Sequence, residues 1–429
     1  MVSGLLARIS AFVHFYFIVW LCSMNHPSVA VAGNISEQLR QLDSSNAEYA
    51  TKFVDQLLTA ARANSASDIH LQPTPQGLDV RWRLDGVLQP IGCFPRGEAA
   101  DIVNRLKVLA ELLTYRNDVP QEGRIRHQQP GHVEVRVSSF PTLHGERAVV
   151  RMFAAVGEYL YVDSLGLPDK TTERLQLLLS ETAGAIVISG PAGSGKTTTA
   201  YACLRELVRA ADHGRSIVSL EDPIEVAVDG VSQSQVNSAA DFDLAAGLRS
   251  LMRQDPEVIL VGEIRDRETA EATFQASLTG HLVISTFHAA SAAGAISRLS
   301  DMGIEPYLLR SGILGILCQR LVRQLCECKQ PAAEDPKELG LPATKAWTAV
   351  GCPQCLGSGY RGRLVLAEIL ESSATELGRA ILSRDDSRKL EQLAIQAGMV
   401  PIRQHAVHAV ETGQTSPQEV RRVLGFSWS

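Results

Sequence analysis

The sequence predicts an α/β fold built on a parallel sheet, preceded by a smaller α+β domain. Three observations carry this. Residues 185–188, 217–220, 258–261 and 282–285 are nearly continuous apolar runs, with serine as their only polar residue. Strands without polar alternation are covered on both faces, as in a parallel sheet flanked by helices. A glycine-rich loop follows the first run directly, at what reads as a strand-to-helix junction. Upstream, Leu78, Val80, Trp82 and Leu84 alternate with Asp79, Arg81 and Arg83. Asp85-Gly86 then supplies a two-residue hairpin signal and Val87-Leu88 begins a return strand.

With 429 residues, 45% hydrophobic and 21% charged, the chain is long enough for two or three domains. Residues 9–24 are almost wholly apolar behind Arg8, and Ala30-Val31-Ala32 resembles a signal-peptidase site. Residues 1–35 therefore read as a secretory signal, a membrane-proximal anchor, or an upstream start with Met24 the true first residue. The run is short for a membrane span. From residue 46 the period turns helical, with Phe53, Val54, Leu57, Leu58 and Ala61 on one face. A second helix is expected near 99–113 and more strand alternation over 133–152, giving an α+β domain over 36–156. Residues 157–168, ending Leu165-Gly166-Leu167-Pro168, form a linker. The sheet domain follows over 169–365. Leu390, Leu393, Ala394, Val407 and Val410 mark apolar helix faces in a helical subdomain over 366–429.

The net charge is −6, which argues against a general attraction to nucleic acid or anionic lipid. Of eight cysteines, Cys326, Cys328, Cys352 and Cys355 fall in one short window. Such clustering suggests a metal site in a reducing compartment, not a disulfide framework.

The loop reads Gly190-Pro191-Ala192-Gly193-Ser194-Gly195-Lys196-Thr197-Thr198, which matches Gly-x4-Gly-Lys-Thr. Its glycines let backbone N–H groups converge on phosphate oxygens. The helix N-terminus adds its positive end, and Lys196 adds a full charge toward the β and γ phosphates. Thr197 then sets its hydroxyl on Mg²⁺. The chain is expected to bind a nucleotide, and an exported chain would meet no ATP, which favours the anchor or Met24 reading. Glu221 and Glu263 end two of the buried runs, in Glu221-Asp222-Pro223-Ile224-Glu225 and Val261-Gly262-Glu263-Ile264-Arg265-Asp266. Carboxyl ends of parallel strands converge where ligands bind, so both acids are expected in the loop's crevice, on the metal or the attacking water. His281 and His288 bracket the fourth run, and the pair reads as a phosphate sensor.

Taken together, these boxes resemble the secretion superfamily of hexameric ATPases, the motors of type II secretion and type IV pilus assembly. The resemblance adds Arg253-Gln254-Asp255-Pro256-Glu257 before the second acid, and Ser67-Asp68-Ile69-His70 and Arg83-Leu84-Asp85-Gly86 in the first domain. Gln121-Glu122-Gly123-Arg124, His144-Gly145-Glu146-Arg147 and Gln319-Arg320-Leu321-Val322-Arg323 match too, and the whole covers about residues 45–425. It implies a RecA-like motor domain behind a PAS-like domain, with Glu221, Glu263 and His288 as catalytic residues. Arg124 and Arg136 map onto arginines that close on the nucleotide. It also implies ATP, Mg²⁺, a homo-hexamer, and a cytoplasmic location beneath an inner-membrane platform protein.

The cysteines resemble the zinc-binding insert of the assembly and secretion members, and so argue against the retraction branch. Cys352-Pro353-Gln354-Cys355 has the usual two spacers, but Cys326-Glu327-Cys328 has one, which puts the two thiolates on awkward sides of the chain. Ala289-Ala290-Ser291 replaces the family's Thr-Asn-Asp after the histidine, removing an acid near the site. Two other readings stay open, a motor that moves DNA in uptake or conjugation and an inactive ATP-binding scaffold. The acidic charge, with no basic, aromatic-laced segment, counts against DNA and against stable nucleic-acid binding.

Overall fold

The computed structural model describes residues 30–94, 96–125, 135–152, 159–210, 214–333 and 340–425. The apolar stretch of residues 9–24 lies outside the described residues. A helix, α1 (Ala30–Arg40), runs through the segment expected to hold a cleavage site.

The first unit is a six-stranded antiparallel sheet of β1 (Asp68–Thr74), β2 (Gly77–Leu84), β3 (Val87–Phe94), β4 (Gln121–Ile125), β5 (Val135–Thr142) and β6 (Gly145–Met152), in the order β3-β2-β1-β6-β5-β4. Period-two alternation puts Leu78, Val80 and Trp82 wholly inside. Helices α2 (Tyr49–Ala63) and α3 (Arg96–Leu109) pack with them, and Phe53 meets Phe94 edge-on at 4.8 Å. The second helix thus ends before residue 113, and Gly123 packs against Ala110 and Leu112 beyond it. Lys107, at the foot of α3, is fully buried, and its Nζ donates to Glu146 Oε2 at 2.8 Å and to Arg116 O at 2.7 Å. A buried ammonium requires such a partner, so the Gly145-Glu146-Arg147 motif has a structural use here.

The second unit begins within the expected linker, since Val162, Leu165 and Leu167 are buried in its core, and continues with α4 (Asp169–Leu179). Its sheet contains β7 (Gly184–Ser189), β8 (Ile217–Glu221), β9 (Ser232–Gln235), β10 (Val258–Val261), β11 (Leu282–Phe287), β12 (Ile313–Leu325) and, beyond the hairpin β13 (Gln330–Pro331) and β14 (Trp347–Thr348), β15 (Tyr360–Glu371). The order is β15-β12-β7-β11-β10-β8-β9, parallel throughout except for the antiparallel pair β12–β15. The continuous apolar runs are explained by two cores. Ala185, Val187, Ile259, Val261 and Val283 face one, while Ile186, Ile188, Val258, Leu260 and Ile284 face the other. The sheet continues to Glu371, past the boundary drawn after residue 365, and helices α10 (Thr375–Leu382) to α13 (Pro417–Leu424) follow.

The two units touch. Asp85 and Gly86 form the tip of the β2–β3 hairpin with φ of 47° and 83°, the left-handed pair that such a turn requires. Asp85 Oδ2 accepts a hydrogen bond from the backbone N–H of Gly362, on β15, at 3.0 Å. No helix among the described residues is long and apolar enough to cross a membrane.

Candidate functional site

Residues 190–195 link β7 to α5 (Lys196–Ala210), and their conformation depends on two close approaches. Gly190 has φ of 152°, and a Cβ there would lie 2.6 Å from Gln319 O and 2.4 Å from Ser194 Oγ. Only glycine permits that packing. Gln319, on β12 and 1% exposed, clamps the loop from beneath: its Nε2 donates to Ser194 O at 2.7 Å and its Oε1 accepts from Thr199 Oγ1 at 3.0 Å. Lys196 Nζ donates to Gly190 O and Pro191 O, both at 3.1 Å, and lies 3.5 Å from His288 Nδ1. Burial pulls the Lys196 ammonium below its usual range, and the nearby Glu263 carboxylate partly opposes this. Ser194 Oγ is buried without a partner, while Thr197 and Thr198 are exposed on the first turn of α5. An orphaned hydroxyl, a cation held by replaceable carbonyls and two accessible threonines suit a triphosphate with its magnesium.

Glu263 follows β10 and is held from two sides. Its Oε1 lies 2.7 Å from His288 Nε2, and its Oε2 accepts from Arg265 Nε at 2.6 Å. Arg265 also reaches Asp222 Oδ2 at 3.3 Å. The strand ends are themselves pinned, since Ser285 Oγ donates to Val261 O at 2.8 Å and Thr286 Oγ1 to Gly262 O at 2.7 Å. With the proton on Nε2, His288 donates to Glu263 and presents Nδ1 to Lys196. Lys196, His288 and Glu263 thereby form one polar chain.

The other sequence-derived residues are placed differently. Glu221 is 3% exposed, and its carboxylate accepts from Tyr201 OH at 2.5 Å, Ser219 Oγ at 2.6 Å and Gln233 Nε2 at 3.0 Å. His281 stands at the opposite end of β11 from the loop, with Nδ1 3.0 Å from Ala276 O, so the expected pair of histidines reduces to His288 alone. A residue that precedes a parallel strand cannot reach the crevice at its carboxyl end. Ser291, where an acid was expected, caps α8 (Ala292–Asp301) by accepting from Gly294 N at 3.0 Å. Arg124 and Arg136 are direct cross-strand neighbours on β4 and β5. Arg136 Nη2 approaches Glu225 Oε2, on the other unit, at 3.8 Å.

Sequence reasoning missed Tyr201, Arg265 and Glu225 as site residues, and met Gln319 only as part of a motif. The signal for Gln319 was the first polar side chain after the apolar run of residues 313–318.

All four clustered cysteines bring their sulfurs within 4.8 Å of one another. Cys326–Cys352 and Cys328–Cys355 are 3.8 Å apart, and Cys352–Cys355 3.7 Å. The single spacer is no obstacle, because Glu327 and Cys328 form a turn. Lys329 N donates to Cys326 O at 3.0 Å, closing a turn that swings both thiols to one side.

Comparison with known proteins agrees with this architecture. The family model described as Type II/IV secretion system protein matches residues 43–422. The chain belongs to the type II/IV secretion system protein family. It is an ATPase motor of the secretion and pilus-assembly kind. This secretion ATPase is 42% identical over 404 residues to the type II secretion system ATPase E of Vibrio cholerae, covering 91% of this chain and 79% of that one. It is 36% identical over 390 residues to the type IV pilus assembly ATPase PilB of Thermus thermophilus, covering 89% and 43%. In fold it is similar to the ATPase DotB of Legionella pneumophila, with a TM-score of 0.64 at 22% identity over 86% of this chain and 95% of that one.

Proposed function

We propose that this secretion ATPase hydrolyses ATP as a homo-hexamer on the cytoplasmic face of the inner membrane, driving a platform protein that assembles pseudopili or pili. The observation that supports this best is the chain Lys196–His288–Glu263, with Glu263 bracketed by His288 at 2.7 Å and Arg265 at 2.6 Å. Glu263 is the group we assign to take the proton of the attacking water. His288 holds that carboxylate in register and links it to the loop lysine. Lys196, with backbone N–H groups of residues 190–195, binds the β and γ phosphates. Thr197 is the magnesium ligand and Thr198 its neighbour on the phosphates. Magnesium supplies neutralisation of phosphate charge.

Glu221 has every carboxylate oxygen occupied by the protein, so we assign it the fixing of residues 222–225 rather than proton transfer. Arg124 and Arg136 supply positive charge from the first unit when the units 36–156 and 169–365 close about the linker 157–168. A cation delivered only on closure stabilises charge in the transition state, and such arginines are worth about 10³–10⁵ in rate.

For the cysteines we propose Zn²⁺. Four thiolates at the usual 2.3 Å from a tetrahedral ion have an edge of about 3.8 Å, close to the Cys326–Cys352, Cys328–Cys355 and Cys352–Cys355 separations, with all four sulfurs within 4.8 Å of one another. Zinc there supplies a rigid cross-link between the end of β12 and the start of β15, in place of disulfides.

The discriminating experiment is deletion of the gene, with secreted proteins, surface fibres and DNA uptake scored side by side. Loss of secretion or fibres with normal DNA uptake agrees with this reading. Loss of uptake alone, with turnover of the purified protein raised by DNA, replaces it with the DNA-translocating alternative.

A further inference from the structure

We propose that Tyr201 is a positioning residue that couples the phosphate-loop helix to the seat of Arg136. The inference rests on the arginine reading given above and deepens it. Tyr201 stands on α5 and is 4% exposed. Its hydroxyl donates to Glu221 Oε2 at 2.5 Å and accepts from the backbone N–H of Glu225 at 3.1 Å. Glu225 is the residue of the second unit whose carboxylate faces Arg136 Nη2, at 3.8 Å, while Glu122 of the arginine's own unit lies 3.5 Å from its Nε. One hydroxyl therefore ties both ends of the segment 221–225 to the helix that begins at Lys196.

The remaining contacts make the tie stiff. Glu221 Oε1 accepts from Ser219 Oγ and from Gln233 Nε2, and Gln233 also donates to Val226 O at 3.1 Å and accepts from Val228 N at 2.7 Å. The segment has little freedom apart from its attachment to Tyr201. Burial, then the hydrogen bond to Glu221, pushes the phenol above its usual range, so the hydroxyl keeps its proton and stays a donor. Lys196 and Tyr201 are about 7.5 Å apart along the helix axis, a rigid span. A shift of Lys196 on engaging phosphate is carried by that span to the Glu225 backbone, and so to the place where Arg136 docks. A tyrosine used only for core packing would need its ring and not its hydroxyl.

The test uses the full-length protein with magnesium and ATP under assembling conditions, and compares Tyr201→Phe, Arg136→Gln and the double variant. Tyr201→Phe is expected to lower kcat about 10–100-fold, the scale of a sub-ångström to ångström misplacement. KM and the equilibrium affinity for a fluorescent ATP analogue should stay within about twofold of wild type. Arg136→Gln should lower kcat on its own, and the double variant should be no slower than the slower single variant. Losses that multiply in the double variant overturn the proposal while leaving the arginine reading intact, as does wild-type kcat in Tyr201→Phe. Wild-type kcat in Arg136→Gln overturns the arginine reading and this inference with it. If Tyr201→Phe does not fold, Tyr201→3-fluorotyrosine keeps the bulk and the donor while weakening the acceptor toward Glu225. It should again lower kcat at constant KM, and unchanged kcat there counts against the proposal.

Discussion

His288 Nε2 lies 2.7 Å from Glu263 Oε1, and the same imidazole turns Nδ1 toward Lys196 Nζ at 3.5 Å. The histidine thus spans the gap between the ammonium of Lys196 and the carboxylate of Glu263, which follows the neighbouring strand. It is half-exposed in this arrangement, so its place is set by these two partners and by its backbone. Its own carbonyl accepts from Arg298 Nη1 at 2.5 Å.

His288→Ala should therefore act on chemistry more than on binding. Glu263 retains Arg265 but loses its second support, and kcat is expected to fall about 10²-fold, the range for a misoriented proton acceptor. KM for ATP should change little. Steady-state phosphate release checks this, and a rise in KM at constant kcat would instead make His288 a simple binding residue.

Gln319→Ala should do the reverse. The substitution leaves Ser194 O and Thr199 Oγ1 without a partner beneath the phosphate loop, so it should cost about 2–4 kcal/mol of stability. The loosened loop should also raise KM for ATP. Urea unfolding and nucleotide titration of the same preparation read both effects, and an unchanged midpoint would show that the clamp contributes nothing.

Acid should loosen the C-terminal helices first. Burial raises the carboxyl of Glu419, but hydrogen bonds from Arg422 and Arg323 outweigh it and hold the group at about 2. The unfolded chain ionises it near pH 4.3, so the folded state binds fewer protons in between. Its contribution is whole above about pH 4.3 and is lost as the pH falls toward about 2. Glu419→Gln should flatten the dependence of Tm on pH over that window. Identical slopes in the two proteins would rule the pair out as its source.

Metal removal should also be visible without any assay of turnover. The four thiols predict one zinc per chain by elemental analysis, and a strong chelator should lower Tm and free thiols that react with a colorimetric reagent. Cys355→Ser should reproduce the loss. Protein grown with ample zinc but purified metal-free and equally stable would contradict the assignment.

Much of this was legible in the sequence because the relevant physics is local. Four apolar runs without alternation fixed a sheet buried on both sides, and Ile186 and Val187 do point into different cores. The loop at 190–197 and Glu263 were legible because glycine spacing and strand-end position constrain them. The long strand β12 was not legible, since Gln319, Arg320, Arg323 and Gln324 interrupt its apolar run and it follows the preceding helix without a break. Tyr201 and Gln319 escaped as site residues because their partners are far along the chain, Glu221 for one and Ser194 for the other. The reading of His281 failed for the opposite reason, as adjacency in sequence across a six-residue strand places it at the wrong end of the sheet. The Cys326-x-Cys328 spacing looked awkward because a single spacer does not reveal the turn that brings both thiols together.

The central claim is that Glu263, beside the phosphate loop, performs proton transfer in ATP hydrolysis rather than merely shaping the site. Phosphate release by assembled, full-length protein with magnesium tests it most directly, comparing wild type with Glu263→Gln at matched nucleotide occupancy. The account predicts that the variant binds ATP as wild type does and turns over about 10²–10³-fold more slowly. Wild-type turnover in Glu263→Gln would contradict it.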